Sequence, residues 1–366
     1  MRFKGFLFAC ACALLAACAS PEAKVFTPGE IWPDNNGVHI NAHGGGVLFH
    51  NGTYYWYGEH KVEGERGNQA WVGVHVYSST NLYNWTDEGI ALPMSTDTTS
   101  LLVEGSVVER PKVIYNQKTG KFVMWFHHEL KGRGYEAALT GLALSDSPTG
   151  PFEYVKSVRP NVAQWPINMN EEQKADTVTL ASLEWWTEPW YNAVHNGLFV
   201  RRDFETGQMA RDMTLFVDDD GKAYHIHSAE ENLTLHISEL TDDYTDFTGV
   251  YAVMQPAGHN EAPAVFKKDG KYYMITSGCT GWAPNAARSF VADNILGPWT
   301  SLGNPSRGTE EEVNTTLQLL PKVDNRPLVA VGLQAILCMK IPTTTKKLAR
   351  SKSPFQAKSE LKSYLH

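Results

Sequence analysis

Cysteine is scarce in the part of the sequence that is expected to fold. Of the five cysteines in 366 residues, Cys10, Cys12 and Cys18 lie in the N-terminal segment, which leaves Cys279 and Cys338. Two isolated cysteines do not form the dense disulfide framework of small secreted domains. A chain of this length is instead expected to fold around a large apolar core.

An excess of positive charge is also absent. Lys and Arg number 32 against 40 Asp and Glu, which gives a formal net charge of −8. Nucleic-acid-binding proteins present basic patches to the phosphate backbone, so the sequence predicts no nucleic-acid partner. Aromatic residues, in contrast, are abundant, with 11 Trp and 15 Tyr. Such side chains either fill a core or stack on the apolar faces of sugar rings.

The N-terminal segment has the features of an export signal. Arg2 and Lys4 precede an apolar run, Phe6–Ala17, which is too short to span a bilayer. The run ends in Leu15-Ala16-Ala17-Cys18, which resembles the lipobox of bacterial lipoproteins. We therefore expect a signal peptide over residues 1–17, lipid attachment at Cys18 and a linker over residues 18–30. The chain would be exported and held by this anchor at a bacterial membrane, in the periplasm or at the cell surface. A plain signal peptide with an incidental cysteine is the alternative.

Helical periodicity of useful length is missing between Gly37 and Leu302, and a repeated β pattern takes its place. Four segments combine a short apolar strand, a turn and an aromatic strand; their turns contain Gly52, Gly120, Gly221 and Gly270. Glycine accepts the positive φ that tight hairpin turns require. A third strand and the aromatic start of a fourth follow each hairpin. Four such sheets in series predict an all-β propeller.

One long insertion separates the second and third units. It runs from Arg159 to Gln208 and contains a set of large aromatic side chains: Trp165, Trp185, Trp186, Trp190 and Tyr191. A long aromatic loop on a propeller face is typical of a binding-site wall. A surface segment packed against itself is the alternative.

Polar residues recur where the first strand of each unit begins. His43, Asp212 and Glu261 each lie nine residues before their hairpin glycine, and Glu109 lies eleven before Gly120. First strands line the axis of a propeller, so these side chains are expected to converge on one pocket. Converging carboxylates suit glycosidic bond cleavage, since one must stay protonated while another group orients water. Pairing with adjacent arginines, Arg110 and Arg211, is the structural alternative.

These residues resemble glycoside hydrolase family 43. The family's general acid is a glutamate in a Glu-(Gly or Ala)-Pro strand start, which here is Glu261-Ala262-Pro263. A family aspartate that tunes this acid corresponds to Asp212. The resemblance, which covers roughly residues 31–314, implies a five-bladed β-propeller and hydrolysis that inverts the anomeric carbon. We assign residues 31–316 to this catalytic domain and name Glu261 and Asp212 as the catalytic residues.

Four further stretches resemble the branch of exo-β-1,3-galactanases and related β-galactosidases. They begin at Ala42, Tyr54, Glu109 and Thr276. The resemblance implies a galactose-recognising pocket in which Glu109 binds a sugar hydroxyl and Trp282 stacks on the ring, with His43 and Glu59 as further substrate-binding residues. The expected partner is an oligo- or polysaccharide. We expect a monomer without a cofactor.

Two departures from the family accompany this resemblance. The family places an aspartate base at the position of His43, and the galactanase-like branch is thought to use a glutamine of the last blade. After Thr316 the strand pattern stops, and residues 328–366 contain seven Lys and Arg but one Glu. Residues 317–366 look like out-of-frame sequence, so the fifth blade is expected to be incomplete. We therefore expect this chain to be poorly soluble and nearly inactive.

Three other interpretations fit the sequence less well. A catalytically inactive sugar-binding propeller has no need of a protonated Glu261, and an α-arabinofuranosidase or β-xylosidase of the same family is disfavoured by the missing aspartate at position 43. A phosphorylase would need a basic phosphate pocket. No metal site is expected: His225 and His227 alternate on one strand face, a pattern more typical of core or pocket groups than of cation ligands.

Overall fold

Four four-stranded antiparallel sheets follow one another along the chain. The computed structural model describes residue 26, residues 31–280 and 285–305, and the backbone of residues 318–319 and 329–330. Blade 1 contains β1 (His43–His50), β2 (Thr53–Lys61), β3 (Trp71–Ser79) and β4 (Thr86–Pro93). Blade 2 contains β5 (Val107–Asn116), β6 (Lys121–Glu129), β7 (Leu139–Ser145) and β8 (Glu153–Val158).

The second half repeats this arrangement. Blade 3 contains β9 (Met213–Val217), β10 (Ala223–Ala229), β11 (Thr234–Leu240) and β12 (Phe247–Met254). Blade 4 contains β13 (Asn260–Lys268), β14 (Lys271–Gly278), β15 (Arg288–Ala292) and β16 (Thr300–Gly303). The four blades expected from the sequence are confirmed, and the fold is an all-β propeller.

The backbone of the hairpin turns explains why the repeated hairpins could be predicted from the sequence. In the first, Asn51 and Gly52 have φ values of 48° and 82°, and in the last Asp269 and Gly270 have 51° and 76°. Two successive positive φ values define the turn that matches the twist of antiparallel strands. The turns set the pairings His50 with Thr53 and Lys268 with Lys271, from which the rest of each register follows.

The first strands of the blades lie side by side around one axis. β1 contacts β5, β5 contacts β9 and β9 contacts β13. A further short strand, β17 (Gln318–Leu319), contacts both β13 and β1 and pairs with β18 (Val329–Ala330). The described residues therefore contain four blades and one additional strand pair. The remaining residues of the expected tail, 317–366, lie outside the described part, as do the expected signal peptide and, apart from residue 26, the expected linker.

Apolar side chains fill the spaces between neighbouring blades. Tyr57, Trp71 and Val74 of blade 1 pack in one buried cluster with Val108 and Phe122 of blade 2. Burying a large apolar side chain contributes about 1.5–3 kcal/mol, so face-to-face packing of blades stabilises the ring. No helix within the described residues is long and apolar enough to cross a membrane.

The insertion between blades 2 and 3 contains short helices, which the sequence analysis did not expect. They are α1 (Glu171–Ala175), α2 (Glu188–His195) and α3 (Leu198–Arg202). Helices this short are marginal alone and depend on tertiary packing. Trp185, Trp186 and Trp190 supply it by clustering with each other. Trp186 also stacks on His259, so the segment packs against itself and against blade 4. Its expected role in a binding site stays a prediction.

Candidate active site

A shared backbone irregularity shapes the start of three first strands. A β-bulge follows His43 in β1, Glu109 in β5 and Glu261 in β13. In each case the next residue has a left-handed backbone: Gly44 at φ 59°, Arg110 at 55° and Ala262 at 49°. Bulges re-aim side chains and are common beside active sites. The same backbone device therefore presents all three polar residues at the same end of their strands.

Asp212 and Arg110 form a two-point ion pair across blades 2 and 3. Arg110 Nη2 lies 2.8 Å from Asp212 Oδ2, and Arg110 Nε donates to Oδ1 at 3.0 Å. The backbone N–H of Ala262 donates to Oδ2 at 3.1 Å. Burial opposes ionisation, but Arg110 overcomes it and lowers the pKa of Asp212. The pairing with a neighbouring arginine is thus observed, and it keeps Asp212 negatively charged.

Glu261 has the opposite protonation behaviour. Burial and the negative charge of Asp212 raise the pKa of Glu261 to about 7, against an ordinary value of 4.5. Its Oε1 accepts a hydrogen bond from Asn232 Nδ2 at 3.0 Å, and the Cys279 thiol hydrogen-bonds to the same carboxyl. The two carboxyls therefore differ in charge near neutral pH, one ionised and one able to donate a proton.

His43 and Glu59 form a polar wall on blade 1. Glu59 Oε2 lies 2.9 Å from His43 Nδ1 and 2.8 Å from Lys61 Nζ, while its Oε1 accepts from the Arg110 backbone N–H at 2.9 Å. Burial opposes ionisation of Glu59, but His43 and Lys61 lower its pKa well below the ordinary value. The Glu59 side chain is only 1% exposed, against 22% for His43. Glu59 thus contacts His43 and Lys61 from behind, whereas His43 keeps an accessible face.

Glu109 on blade 2 lies between an imidazole and a phenol. Its Oε2 is 3.0 Å from His127 Nδ1, and its Oε1 accepts from the Tyr135 hydroxyl at 3.1 Å. Glu109, His127 and Asp212 each offer an atom within 4.8 Å of the others, a spacing compatible with a cation. Arg110 already neutralises Asp212, however, and both nitrogens of His127 face carboxylates. The charges of this cluster are compensated by the protein itself.

A cavity of about 460 Å³ runs along the axis beyond these carboxyls, towards the hairpin ends of the first strands. Arg110, Lys112 and Ala262 are among its lining residues. The Lys112 ammonium donates to the Gly44 carbonyl at 3.0 Å, and burial together with Arg110 lowers the pKa of Lys112 to about 7. The lining of this cavity includes Ala262 but not Glu261.

Contacts connect much of the expected site, with some exceptions. Arg110 links Asp212 to the Glu59–His43 wall, and Asp212 is linked to Glu261 through the Ala262 backbone and through charge. Trp282 and Cys18 lie outside the described residues. His225 and His227 are buried and contact each other, with 3.0 Å between their Nδ1 atoms.

Four residues beside the expected site were not predicted to belong to it. They are Asn232, Cys279, His127 and Tyr135. Asn232 and Cys279 contact Glu261, whereas His127 and Tyr135 contact Glu109. A signal existed only for Cys279, which lies within the stretch beginning at Thr276.

Comparison with known proteins shows what the whole chain is similar to. The model for glycosyl hydrolases family 43 matches residues 168–316. A solved family 43 β-1,3-galactosidase with galactodeoxynojirimycin is 52% identical; the match covers 81% of this chain and 86% of that chain, with a TM-score of 0.78. The exo-β-1,3-galactanase 1,3Gal43A from Clostridium thermocellum is 34% identical, with 81% and 55% coverage and a TM-score of 0.64.

A curated relative matches over a shorter region. The β-D-galactofuranosidase xynD of Aspergillus niger is 32% identical over 117 residues, which is 30% of this chain and 34% of that protein. The match thus spans about a third of the curated relative's length.

Proposed function

This chain belongs to glycoside hydrolase family 43, and we propose that it hydrolyses terminal β-linked galactose from oligo- or polysaccharides with inversion at the anomeric carbon. The observation that carries the proposal is the unequal charge of two neighbouring carboxyls. Glu261 has a pKa of about 7, while Arg110 keeps the pKa of Asp212 low. A protonated carboxyl beside an ionised one is the arrangement that acid-assisted glycoside hydrolysis needs.

In this proposal Glu261 donates its proton to the leaving-group oxygen as the glycosidic bond breaks. Burial and the Asp212 charge keep that proton bound near neutral pH, and Asn232 fixes the direction of the carboxyl by donating to Oε1. Because general acids work best with a pKa near the working pH, the value of about 7 suits an enzyme active around neutrality.

Sugar recognition is assigned to residues around this acid. Glu109 binds a sugar hydroxyl, His43 contributes its exposed face, and Glu59 acts by holding His43 in position. Trp282 is proposed to stack on the sugar ring. The choice of galactose is supported by the 52% identity with a β-1,3-galactosidase.

We further propose that the propeller has a fifth blade whose first strand begins with β17. The contacts of β17 with both β13 and β1 support this, since a closing blade must pack between the fourth and the first. A glutamine of this last blade is the proposed water-orienting base. Comparing this chain with a version read in the alternative frame after Thr316 tests both points: equal melting temperatures and equal galactose release would show that residues 317–366 already complete the blade.

Galactose release tests the activity directly. The full chain and the version read in the alternative frame after Thr316 are incubated with β-1,3-galactan and with nitrophenyl β-galactoside, and product is followed by chromatography and by proton NMR of the anomer first formed. The alternative-frame version should release galactose as the α-anomer, and its release from β-1,3-galactan should be lost in Glu261→Gln, whereas the chain as written should release little. Initial formation of the β-anomer would contradict inversion.

Nitrophenyl α-arabinofuranoside and β-xyloside are included to test the alternative specificities of the same family. Faster turnover of either one would replace galactose as the substrate. Sugar binding without any turnover by a folded protein would favour the inactive binding propeller instead.

For localisation, we propose export and anchoring through an acylated Cys18. The proposal is supported by the motif Leu15-Ala16-Ala17-Cys18 after a short apolar run. In a bacterial host, radiolabelled palmitate should enter the wild-type chain and not Cys18→Ala, which should leave the membrane fraction. Equal labelling of both would contradict the anchor.

A further inference from the structure

A buried ion-pair triad lies directly behind Glu109. His127 on β6 has its Nδ1 3.0 Å from Glu109 Oε2 and its Nε2 2.9 Å from Glu129 Oε1. The Nδ1 contact is an ion pair that lies outside ideal hydrogen-bond geometry. The side chains of His127 and Glu129 are 2% and 0% exposed. The imidazole is thus held between two carboxylates, one at the pocket and one in the core.

The two contacts determine the charge of the imidazole. A neutral histidine has one N–H and one lone pair, so one of its nitrogens would face a carboxylate oxygen without a proton between them. Protonation at both nitrogens removes that repulsion. Although burial alone opposes the charge, Glu109 and Glu129 raise the pKa of His127 to about 9.

The groups around His127 are consistent with a cationic state. Tyr135 lies with its ring centroid 5.9 Å away and donates its hydroxyl to Glu109. His128, the next residue, has a pKa lowered to about 4 by burial and by the charge of His127, so it is neutral. Asp212, across the axis, adds a negative charge that Arg110 offsets.

Glu129 is itself held in place from the opposite side. Its Oε2 accepts a hydrogen bond from the Ala138 backbone N–H at 2.9 Å, and Ala138 has a left-handed backbone with φ 44°. A buried carboxyl needs hydrogen-bond and ion-pair partners to compensate for lost solvation. Glu129 therefore provides a rigid anchor for the imidazolium, and the imidazolium provides one for Glu109.

We propose that His127 is a positioning residue that, together with Glu129, holds the Glu109 carboxyl in the orientation that binds a sugar hydroxyl. This inference rests on the proposed function, because Glu109 needs a sugar partner for its orientation to matter. The role is indirect: His127 is not assigned any contact with the substrate. The proposal predicts that sugar affinity depends on the positive charge of the His127 imidazolium. That charge is present below a pH of about 9 and is lost above it.

The test measures galactose binding calorimetrically in a Glu261→Gln parent, which lacks the titrating carboxyl at position 261. The parent should bind with constant affinity from about pH 6 to 8 and lose affinity as the pH rises through about 9. His127→Gln should bind about tenfold more weakly at pH 7, because a charge-assisted contact to Glu109 is lost, and it should show no further loss near pH 9.

Glu129→Gln is the second variant, and it tests the same role if His127→Gln does not fold. It removes one of the two charges that stabilise the imidazolium, so the midpoint for loss of affinity should move to lower pH. His195→Gln, at an exposed position in α2, is the matched control and should leave affinity and pH dependence unchanged. Melting temperatures of all variants separate folding effects from binding effects.

The results distinguish this inference from the proposed function. Two results would overturn the role of His127: the parent binds galactose and both variants keep its affinity, or both variants keep its pH midpoint for loss of affinity. A folded parent that binds no galactose would instead overturn the proposed function. In that event the NMR signal of the His127 imidazole decides the charge state alone: titration near pH 6.5, its ordinary value, would overturn the triad as well.

Discussion

Glu261→Gln removes an ionisable proton while it keeps the size and the hydrogen-bonding shape of the side chain. General acid catalysis contributes about 10²–10⁴-fold to such reactions, so kcat on a β-1,3-linked galactobiose should fall by that factor. A nitrophenyl β-galactoside, whose leaving group departs without protonation, should lose much less. The wild-type rate should also fall as pH rises through about 7, whereas the residual rate of the variant should not.

The same substitution changes stability in a pH-dependent way. A rise in pKa from 4.5 to about 7 corresponds to about 3 kcal/mol in favour of the protonated carboxyl. This is an upper figure, since the Glu261 side chain is partly exposed and water screens its charge. Between pH 4.5 and about 7, the Glu261 carboxyl ionises in the unfolded chain and stays protonated in the folded one. The wild-type protein therefore loses stability as the pH rises through this range. The glutamine variant lacks this loss.

The assay combines steady-state kinetics with urea unfolding at pH 5 and pH 8. We expect the variant to be closer to the wild type at pH 5 and more stable than it at pH 8. Glu153→Gln, an exposed carboxyl on β8, is the control and should change neither property. Near wild-type turnover of galactobiose by Glu261→Gln would refute the assignment of the acid. An equal stability difference at both pH values would refute the raised pKa.

Three substitutions test the geometry around this acid. Arg110→Met leaves Asp212 buried without its partner and should lower the free energy of unfolding by about 3–5 kcal/mol at pH 7; a loss below about 1 kcal/mol would contradict the pairing. Ala262→Gly relieves a left-handed alanine and should raise urea stability by about 0.5–1 kcal/mol, after the entropy of the unfolded glycine is subtracted. Gly45→Ala would place a Cβ 1.9 Å from the Tyr57 carbonyl oxygen and should lower the melting temperature, with a cost of about 1–3 kcal/mol; an unchanged melting temperature would show that the strands separate freely there.

The blades were predictable because the signal that creates them is local. A turn such as Asn51-Gly52 determines its own backbone and, through it, the register of two strands. Because His43 and Glu261 are equally far from their turn glycines, the sequence alone predicted that they occupy equivalent positions in their strands. The structure now places both residues at equivalent bulges, as that spacing indicated.

The charge and burial of the site residues were harder to predict from the sequence, because they depend on contacts between distant parts of the chain. Pairing of the strand-start residues with Arg110 or Arg211 was an alternative to a site, yet the structure shows that the Arg110–Asp212 pair and proximity to Glu261 occur together. His127 and Glu129 are two residues apart on one strand, a spacing that does not reveal a contact with Glu109. The short helices of the insertion depend on tertiary packing in the same way.

The three bulges show how one backbone shape accommodates different chemistry. The left-handed position after each bulged residue favours glycine, and a side chain there costs about 1–2 kcal/mol. A Cβ at Gly44 would lie 2.3 Å from Glu59 Oε1, so a larger residue there would displace the carboxyl that contacts His43. Ala262 adopts this strained backbone, and its N–H donates to Asp212. Arg110 adopts it as well and makes two stabilising contacts: its backbone N–H donates to Glu59, and its guanidinium binds Asp212. The strain at Arg110 is therefore offset by the ion pair that keeps Asp212 charged, and burial together with that charge keeps the proton on Glu261.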